Sequence, residues 1–427
     1  MRAGFRHQGD HAVFRLDLLP GEATAAVGQY DMRIALTTGQ FRVELPRRVD
    51  EPHPDVAALS ALTAARPWTA RTLRLDRGVS AHFAGTVEAA LGISVEPIDP
   101  MLPRRERGSR TALLYSGGPD SLTAETLLGP GLAFIHMTRA KHPRVPNRAT
   151  HHRDDIARDL ARQAAGRGEE VHFIRSDVEF VCSRPHPTFP HAMTWALGPL
   201  LLADDLDLGG VVYGLDLSHM YVGRGFRWRP FAAEDDRWVR VFAAVGLEML
   251  LPVAGVSEVI TTRLGARHRL SDLSRSCTLG DRRGPCLGCV KCARKELLKA
   301  AVEARPMTVE ALDRLAASPR VVEFLSRTPV QNQHTFEYGL ARVPGLEGSV
   351  FQPLRDALRP TVEDTLWLEA IYGPALNLLP AEEAARLVAR AAAEGVRFMT
   401  HDEEARVESW VARSGAAGSA RNLTPAG

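Results

Sequence analysis

Residues 111–128 read TALLYSGGPDSLTAETLL, and the order of that stretch decides how the chain is read. Residues 111–115 are a short apolar run of strand type. Ser116-Gly117-Gly118-Pro119-Asp120-Ser121 follows, and from Leu122 the sequence takes on the pattern of a helix. A strand that passes through a glycine-rich turn into a helix builds an anion site. Glycines let the backbone come close to a ligand, and the helix start leaves N–H groups and partial positive charge facing it. Ser116 and Ser121 add hydroxyls. Asp120 adds a carboxylate, which suits a phosphate only with a cation between them, so the turn points to a magnesium-bound nucleotide. The plainer alternative is an ordinary strand–turn–helix connection capped by its serines.

The turn has no lysine of the Walker A kind and no G-x-G-x-x-G, which sets aside P-loop and dinucleotide folds. Its SGG-x-DS run resembles the PP-loop of the ATP pyrophosphatase superfamily. Members of that superfamily split ATP between the α and β phosphates, adenylate a substrate and release pyrophosphate. The resemblance implies ATP as the ligand.

The chain of 427 residues is 45% apolar and 24% charged, with a net charge of +2. Those values fit an ordinary globular protein of two or three domains and argue against nucleic acid as a partner. Residues 1–19 carry Arg2, Arg6, His7, Asp10 and His11 without a continuous apolar segment, so no signal peptide is expected. The most apolar run, 241–256, is broken by Glu248 and Pro252 and reads as core, not as a membrane span. A cytoplasmic protein is expected.

Alternation at Phe14, Leu16 and Leu18, at Met32, Ile34 and Leu36, and at Phe41, Val43 and Leu45 predicts strands in residues 1–105. The last two sets read as a hairpin about the turn 37–40. Asp55 is the expected cap of a helix over 56–65, and Thr86 that of a short helix over 87–91. This stretch reads as a separate α+β module, with residues 97–109 as a linker. From 110 to 300 the pattern alternates: strands over 111–115, 132–137, 171–174 and 209–215, helices over 149–166 and 191–206. That alternation implies an α/β fold with a doubly wound parallel sheet, whose ligand site lies at the carboxyl ends of the strands. Residues 301–413 read as a helical C-terminal region, with Thr308 capping one helix and Pro380 opening another. Residues 414–427 read as a disordered tail.

Four of the five cysteines fall between Cys277 and Cys292, spaced C-x8-C-x2-C-x2-C. Cys277, Cys286, Cys289 and Cys292 have the number and spacing for a closed tetrahedral zinc site, a structural role. Gly284 and Gly288 would permit the turns, and Cys292 would open the next helix. Four thiolates also suit an iron–sulfur cluster. Cys182 is isolated and reads as a small buried apolar residue.

A PP-loop followed by this cysteine cluster, with Arg294 two residues beyond it, resembles the 7-cyano-7-deazaguanine synthase family of queuosine biosynthesis. The resemblance covers roughly residues 110–300. It implies an adenine nucleotide alpha hydrolase-like fold, ATP, magnesium and zinc. The implied activity is ATP-dependent C–N ligation: a 7-carboxy-7-deazaguanine is adenylated and then coupled to ammonia. By that resemblance Ser116, Gly117, Gly118, Asp120 and Ser121 hold the nucleotide, Asp120 and Ser121 act in catalysis, and the four cysteines hold the metal. The segment from His151 and His152 looks like the helix after the family's second strand, although the two histidines also read as a solvated helix start.

The acceptor parts depart from the family. Thr188-Phe189-Pro190-His191-Ala192 stands where the family has Pro-Gly-Arg-Asn, and residues 216–224 read DLSHMYVGR in place of a loop rich in Asp, Tyr, Ser and Gly. Asp216, His219, Tyr221 and Arg224 are the candidates for binding the acceptor, each also readable as a solvated loop side chain. His136 and Thr138, near the end of the second strand, are the candidates for adenine or ribose. A small-molecule carboxylate and an amine donor are the expected partners, and a homodimer is allowed. The extensions on either side allow a partner protein, as in antiphage relatives that are thought to attach a deazapurine to protein. A thiolation enzyme acting on tRNA and a scaffold that only binds nucleotide are the other readings.

Overall fold

The computed structural model describes residues 1–27, 33–140, 154–183, 189–222, 232–268, 277, 284–327 and 329–410. Two compact units emerge. The first comprises Met1–Gly214, Phe231–Pro252 and Leu378–Leu387, the second Leu215–Pro230, Val253–Asn377 and Val388–Gly427.

In chain order the first unit carries β1 (Arg2–His7), β2 (His11–Asp17), β3 (Ala25–Val27), β4 (Arg33–Leu36), β5 (Gln40–Glu44), α1 (Pro54–Ala65), β6 (Thr72–Ser80), α2 (Ala81–Leu91) and β7 (Ser94–Asp99). It continues with β8 (Arg110–Leu114), α3 (Pro119–Leu128), β9 (Leu132–Arg139), α4 (Asp154–Gly166), β10 (Val171–Ser176) and β11 (Cys182–Ser183). It closes with α5 (Leu197–Leu201), β12 (Leu208–Val212), α6 (Ala232–Ala243) and β13 (Glu248–Leu250).

Ten strands form one sheet in the order β13-β12-β8-β9-β10-β5-β2-β1-β6-β7. The run from β13 to β10 is wholly parallel, β5, β2 and β1 meet their neighbours antiparallel, and β1, β6 and β7 are parallel again. The protein is therefore α/β with a mostly parallel sheet. In the parallel part the chain lays its third, second, first, fourth and fifth strands side by side. Strand order reverses between β8 and β12, which is where open α/β sheets take their ligands. All five residues of β12 are buried, as a strand covered on both faces requires, whereas β2 alternates buried and open positions.

The sheet crosses the boundary that the sequence suggests near residue 105. Glu44 pairs with Arg175 and Val43 with Ser176, so β5 continues the sheet from β10. The expected linker begins in the last three residues of edge strand β7 and holds Arg105, whose 6%-exposed side chain reaches Asp204 at 2.5 Å and the carbonyls of Ala203, Leu208, Val245 and Gly246.

Several local expectations differ. β4 and β5 do not pair as the expected hairpin, and Met32 lies outside the described residues. Leu16 N–H bonds Gly39 O at 2.7 Å, a β-carbon on Gly39 would stand 2.7 Å from Leu16 O, and Thr37 N–H goes to Val181 O. The turn thus hands the chain from one sheet to another, and β4 lies between β3 and β11 in a three-stranded sheet. Asp55 is not the cap of α1. His53 takes that place, Pro54 opens the helix, and the buried Asp55 carboxylate accepts from Ser80 N at 2.7 Å and Ser80 Oγ at 2.6 Å. Ser80, not Thr86, caps α2 through Phe83 N. The helix expected over 191–206 is a 3-10 turn (Ala192–Ala196) followed by the five-residue α5. Pro199 withholds the N–H that a continuous helix would need, and Gly198 lies flush on the sheet, where a β-carbon would meet Ile135 at 2.7 Å.

The second unit is helical: α7 (Glu258–Arg267), α8 (Val290–Val302), α9 (Val309–Leu315), α10 (Pro319–Leu325), α11 (Gln333–Arg342) and α12 (Gln352–Leu358), then α13 (Ala381–Ala393), over which the division falls, and α14 (His401–Ser409). Thr308 caps α9 and Thr400 forms a capping box with Glu403 on α14. α11 packs closely on α8, for a β-carbon on Gly339 would stand 2.7 Å from Leu297. Residues 333–340 are all buried although they include Gln, His, Thr and Glu.

Candidate nucleotide and metal sites

β8 delivers the chain to the turn at the carboxyl edge of the sheet. Gly117 takes a left-handed φ of +66° that favours glycine. Gly118 N–H donates to Ser116 Oγ at 3.2 Å, the Ser121 hydroxyl donates to Gly118 O at 3.0 Å, and the two serine hydroxyls stand 3.3 Å apart. Gly118 is the N-cap of α3 and no side chain caps that end, which keeps the anion-attracting end of the helix uncovered by a cap. Pro119 at the first position withholds no useful N–H, and Asp120 lies half-buried in the first turn. On β12's side, Gly214 leaves room: a β-carbon there would stand 3.4 Å from Asp120 Cβ and 3.6 Å from Ser121 N. Ser116, Gly117, Gly118, Asp120 and Ser121 therefore share one turn, with Gly214 against it.

His136 and Thr138 differ in placement. Both are on β9, and Thr138 is buried near its end. His136 donates from Nδ1 to Tyr115 O at 2.7 Å, the carbonyl just before Ser116, and meets Phe173 edge-on. Burial holds the imidazole below its ordinary pKa, so it is a neutral brace under the turn. Behind the turn, burial pushes Glu125 of α3 up to about 7, even with the Arg167 guanidinium 3.4 Å away.

Asp216 and His219 are buried rather than solvated. Asp216 Oδ1 accepts from His219 N at 3.0 Å and from His219 Nδ1 at 2.6 Å. Tyr221 meets Tyr372 edge-on, with centroids 4.8 Å apart. Between Asp216 and His219, Ser218 Oγ lies 2.9 Å from His334 Nε2. Arg224, His151 and His152 lie outside the described residues.

Cys277, Cys286, Cys289 and Cys292 bring their sulfurs within 4.8 Å of one another, and none forms a disulfide. Cys277 to Cys289 is 4.0 Å and Cys286 to Cys292 is 3.8 Å. Zinc–sulfur bonds of about 2.3 Å arranged tetrahedrally require sulfurs about 3.8 Å apart, so the donor set fits a metal such as zinc. Cys286 N–H faces Cys277 Sγ and Cys292 N–H faces Cys289 Sγ, each at 3.4 Å, as thiolate acceptors require. The Cys292 thiol and N–H pull Cys289 down to about 5 by donating hydrogen bonds to its sulfur, while Cys292 is pushed up by holding its proton in that hydrogen bond and by burial. Two details depart from the sequence reading. Leu287, not Gly288, takes the left-handed turn at φ +53°, and Cys289 caps α8 while Cys292 lies in its first turn.

The partners of Arg294 and the buried polar residues that open α11 carried no signal in the sequence. Arg294 donates to Glu258 at 2.7 Å, Gln333 to Glu337 at 2.9 Å, and Asn332 begins α11 in a left-handed conformation. A run such as Asn-Gln-His-Thr reads as solvent-facing, and only the packing of α11 shows otherwise.

The family described as "Family of unknown function (DUF6395)" matches residues 237–411, a span that includes the four cysteines and α11. No curated protein matches the chain. Among the described residues no helix is long and apolar enough to cross a membrane.

Proposed function

We propose that the protein is an ATP-dependent ligase of the PP-loop class, similar to 7-cyano-7-deazaguanine synthases, which activates a carboxylate by adenylation and passes it to an amine. The observation that carries this reading is the turn from Ser116 to Ser121: two convergent hydroxyls and an uncapped helix start, at the reversal point of the parallel sheet.

In this reading the N–H groups of Gly117, Asp120 and Ser121 hold the β and γ phosphates of ATP and stabilise the charge that grows on them, Pro119 having none and Gly118 giving its own to Ser116. Asp120 would help hold a magnesium ion, which supplies charge neutralisation on the phosphates. A carboxylate oxygen of the substrate attacks the α-phosphorus, the bond from that phosphorus to the bridging oxygen breaks, and pyrophosphate leaves. The amine then attacks the acyl carbon, AMP leaves with the bonding pair, and the amine proton is lost. Alignment supplies most of the acceleration, so no protein nucleophile is needed. The candidates for acceptor recognition are Asp216, His219, Tyr221 and Arg224. The cysteine metal has no open position and is structural.

A deazapurine acid is the substrate class that the joint occurrence of PP-loop and cysteines suggests. The test is pyrophosphate release from ATP with a panel of deazapurine carboxylates, ammonia or a protein amine being the acceptor. Release dependent on one such acid supports the reading. ATP binding without release for any acid would instead favour a nucleotide-binding scaffold.

A further inference from the structure

The cysteine knuckle and the loop at 215–222 belong to the same compact unit, and a line of buried polar contacts runs from one to the other. Cys289 caps α8 by accepting Cys292 N–H, which sets the direction of the helix's first turn. Arg294 lies at the start of the next turn and is 8% exposed. Its Nη2 donates to Glu258 Oε1 on α7 at 2.7 Å, and the Asn332 amide faces the same guanidinium; turned with its oxygen inward, as two N–H donors require, it accepts from Nη1 and Nη2. Asn332 holds φ 57° and ψ 43°, a conformation asparagine tolerates better than most residues, and its carbonyl takes Thr335 N–H to begin α11. Two residues further, His334 puts Nε2 2.9 Å from Ser218 Oγ, and these residues are 1% and 2% exposed.

A buried guanidinium stripped of one partner is strongly destabilising, so Arg294, Glu258 and Asn332 keep their arrangement together or lose it together. Without a metal, four thiols have nothing to hold the knuckle's turns against chain entropy. Arg294 would then lose its fixed approach to Asn332, and α11 its fixed first turn.

We propose that Arg294, Asn332 and His334 are positioning residues through which a metal held by the four cysteines sets the conformation of the 215–222 loop. The proposal goes beyond the ligase reading. It needs a metal on the cysteines but neither ATP nor a deazapurine.

Amide hydrogen exchange on the full chain tests it. The reporters are Leu217 N–H, bonded to Val256 O, and His219 and Met220 N–H, bonded to Asp216 O. Removing the metal with a chelator raises their exchange roughly tenfold or more, along with that of α8. Asn332→Gly, which keeps the left-handed backbone and deletes the amide, and His334→Phe retain the full metal content yet exchange fast at these reporters. His334→Gln, which restores a polar partner for Ser218, recovers slow exchange. The relay is overturned if stripping affects only residues up to 302, or if both metal-loaded variants keep the native rates. Should stripping unfold the whole chain, the metal-loaded variants decide. Protein purified without any metal would overturn the metal assignment as well, whereas metal with an unresponsive loop overturns the relay alone.

Discussion

Gly117 lies under Leu160 of α4: a β-carbon built on the glycine would stand 2.3 Å from Leu160 Cδ2. With its left-handed φ, the residue is constrained twice, once by its own backbone and once by a neighbour that closes over it. Gly117→Ala should cost at least about 1 kcal/mol from backbone strain alone. The clash is with a flexible side-chain end, so Leu160 can move aside; it is the left-handed φ, which alanine adopts poorly, that shifts the turn. The expected outcome is a modest fall in Tm with a large loss of ATP binding. Gly117→Ala together with Leu160→Ala should regain little binding, since the left-handed φ stays. Full recovery in the double variant would mean that Leu160, not the backbone, is what requires glycine there.

Asp120 sits in the first turn of α3, one residue before the buried Ser121. Its carboxylate suits a phosphate only through a cation. Asp120→Ala should lower pyrophosphate release on the order of 100-fold or more, and Asp120→Asn nearly as much, because the amide keeps the shape but not the charge. Equal release by wild type and both variants would remove Asp120 from the chemistry. Thermal melts guard against misfolding, since a half-buried first-turn residue should shift Tm little.

What could be read in advance was whatever is encoded over a few consecutive residues. The strand, turn and helix of 110–128 are one local unit, and the cysteines declare themselves by spacing. The pairing of β5 with β10 joins residues about 130 positions apart, and no local pattern marks which sheet edge a strand will meet. For the same reason a turn at Thr37–Gln40 reads as a hairpin although its two flanks belong to different sheets. Asp216 and His219 read equally well as solvated loop side chains; only their burial and mutual hydrogen bond show that they are built into the fold. Asn332 and His334 illustrate the same limit, since polar residues are buried only when tertiary partners such as Arg294 and Ser218 are present to satisfy them.

The cysteine geometry predicts metal content. Purified protein should contain about one zinc per chain, and the spectrum should lack iron–sulfur absorption. Structural zinc contributes on the order of 10 kcal/mol to folding, so a strong chelator should lower Tm steeply, and Cys289→Ser, which alters both a ligand and the cap of α8, should mimic it. A brown protein containing iron would replace zinc with a cluster. Metal-free protein of undiminished Tm would leave the four sulfurs without a metal role.

Glu125 makes the pH dependence of folding testable by difference. Its folded value is raised from 4.5 to about 7, with burial the leading cause. A carboxyl raised in the folded state favours folding while it is protonated in both states. That contribution is fully present below about 4.5, declines as pH rises and is gone above about 7. His191 acts in the opposite sense. Burial pushes it down to about 3 while its Nδ1 accepts Met193 N–H, so it loses stability as pH falls from 6.5. The two oppose each other between about 4.5 and 6.5, and the wild-type curve alone would hide both. Glu125→Gln removes one of them. The Tm difference, variant minus wild type, should grow from pH 4.5 to about 7 and stay constant above, whatever fixed offset the loss of the Arg167 contact adds. A difference independent of pH would mean that Glu125 titrates alike in the folded and unfolded chain, and that burial behind the Ser116–Ser121 turn is not what holds its proton.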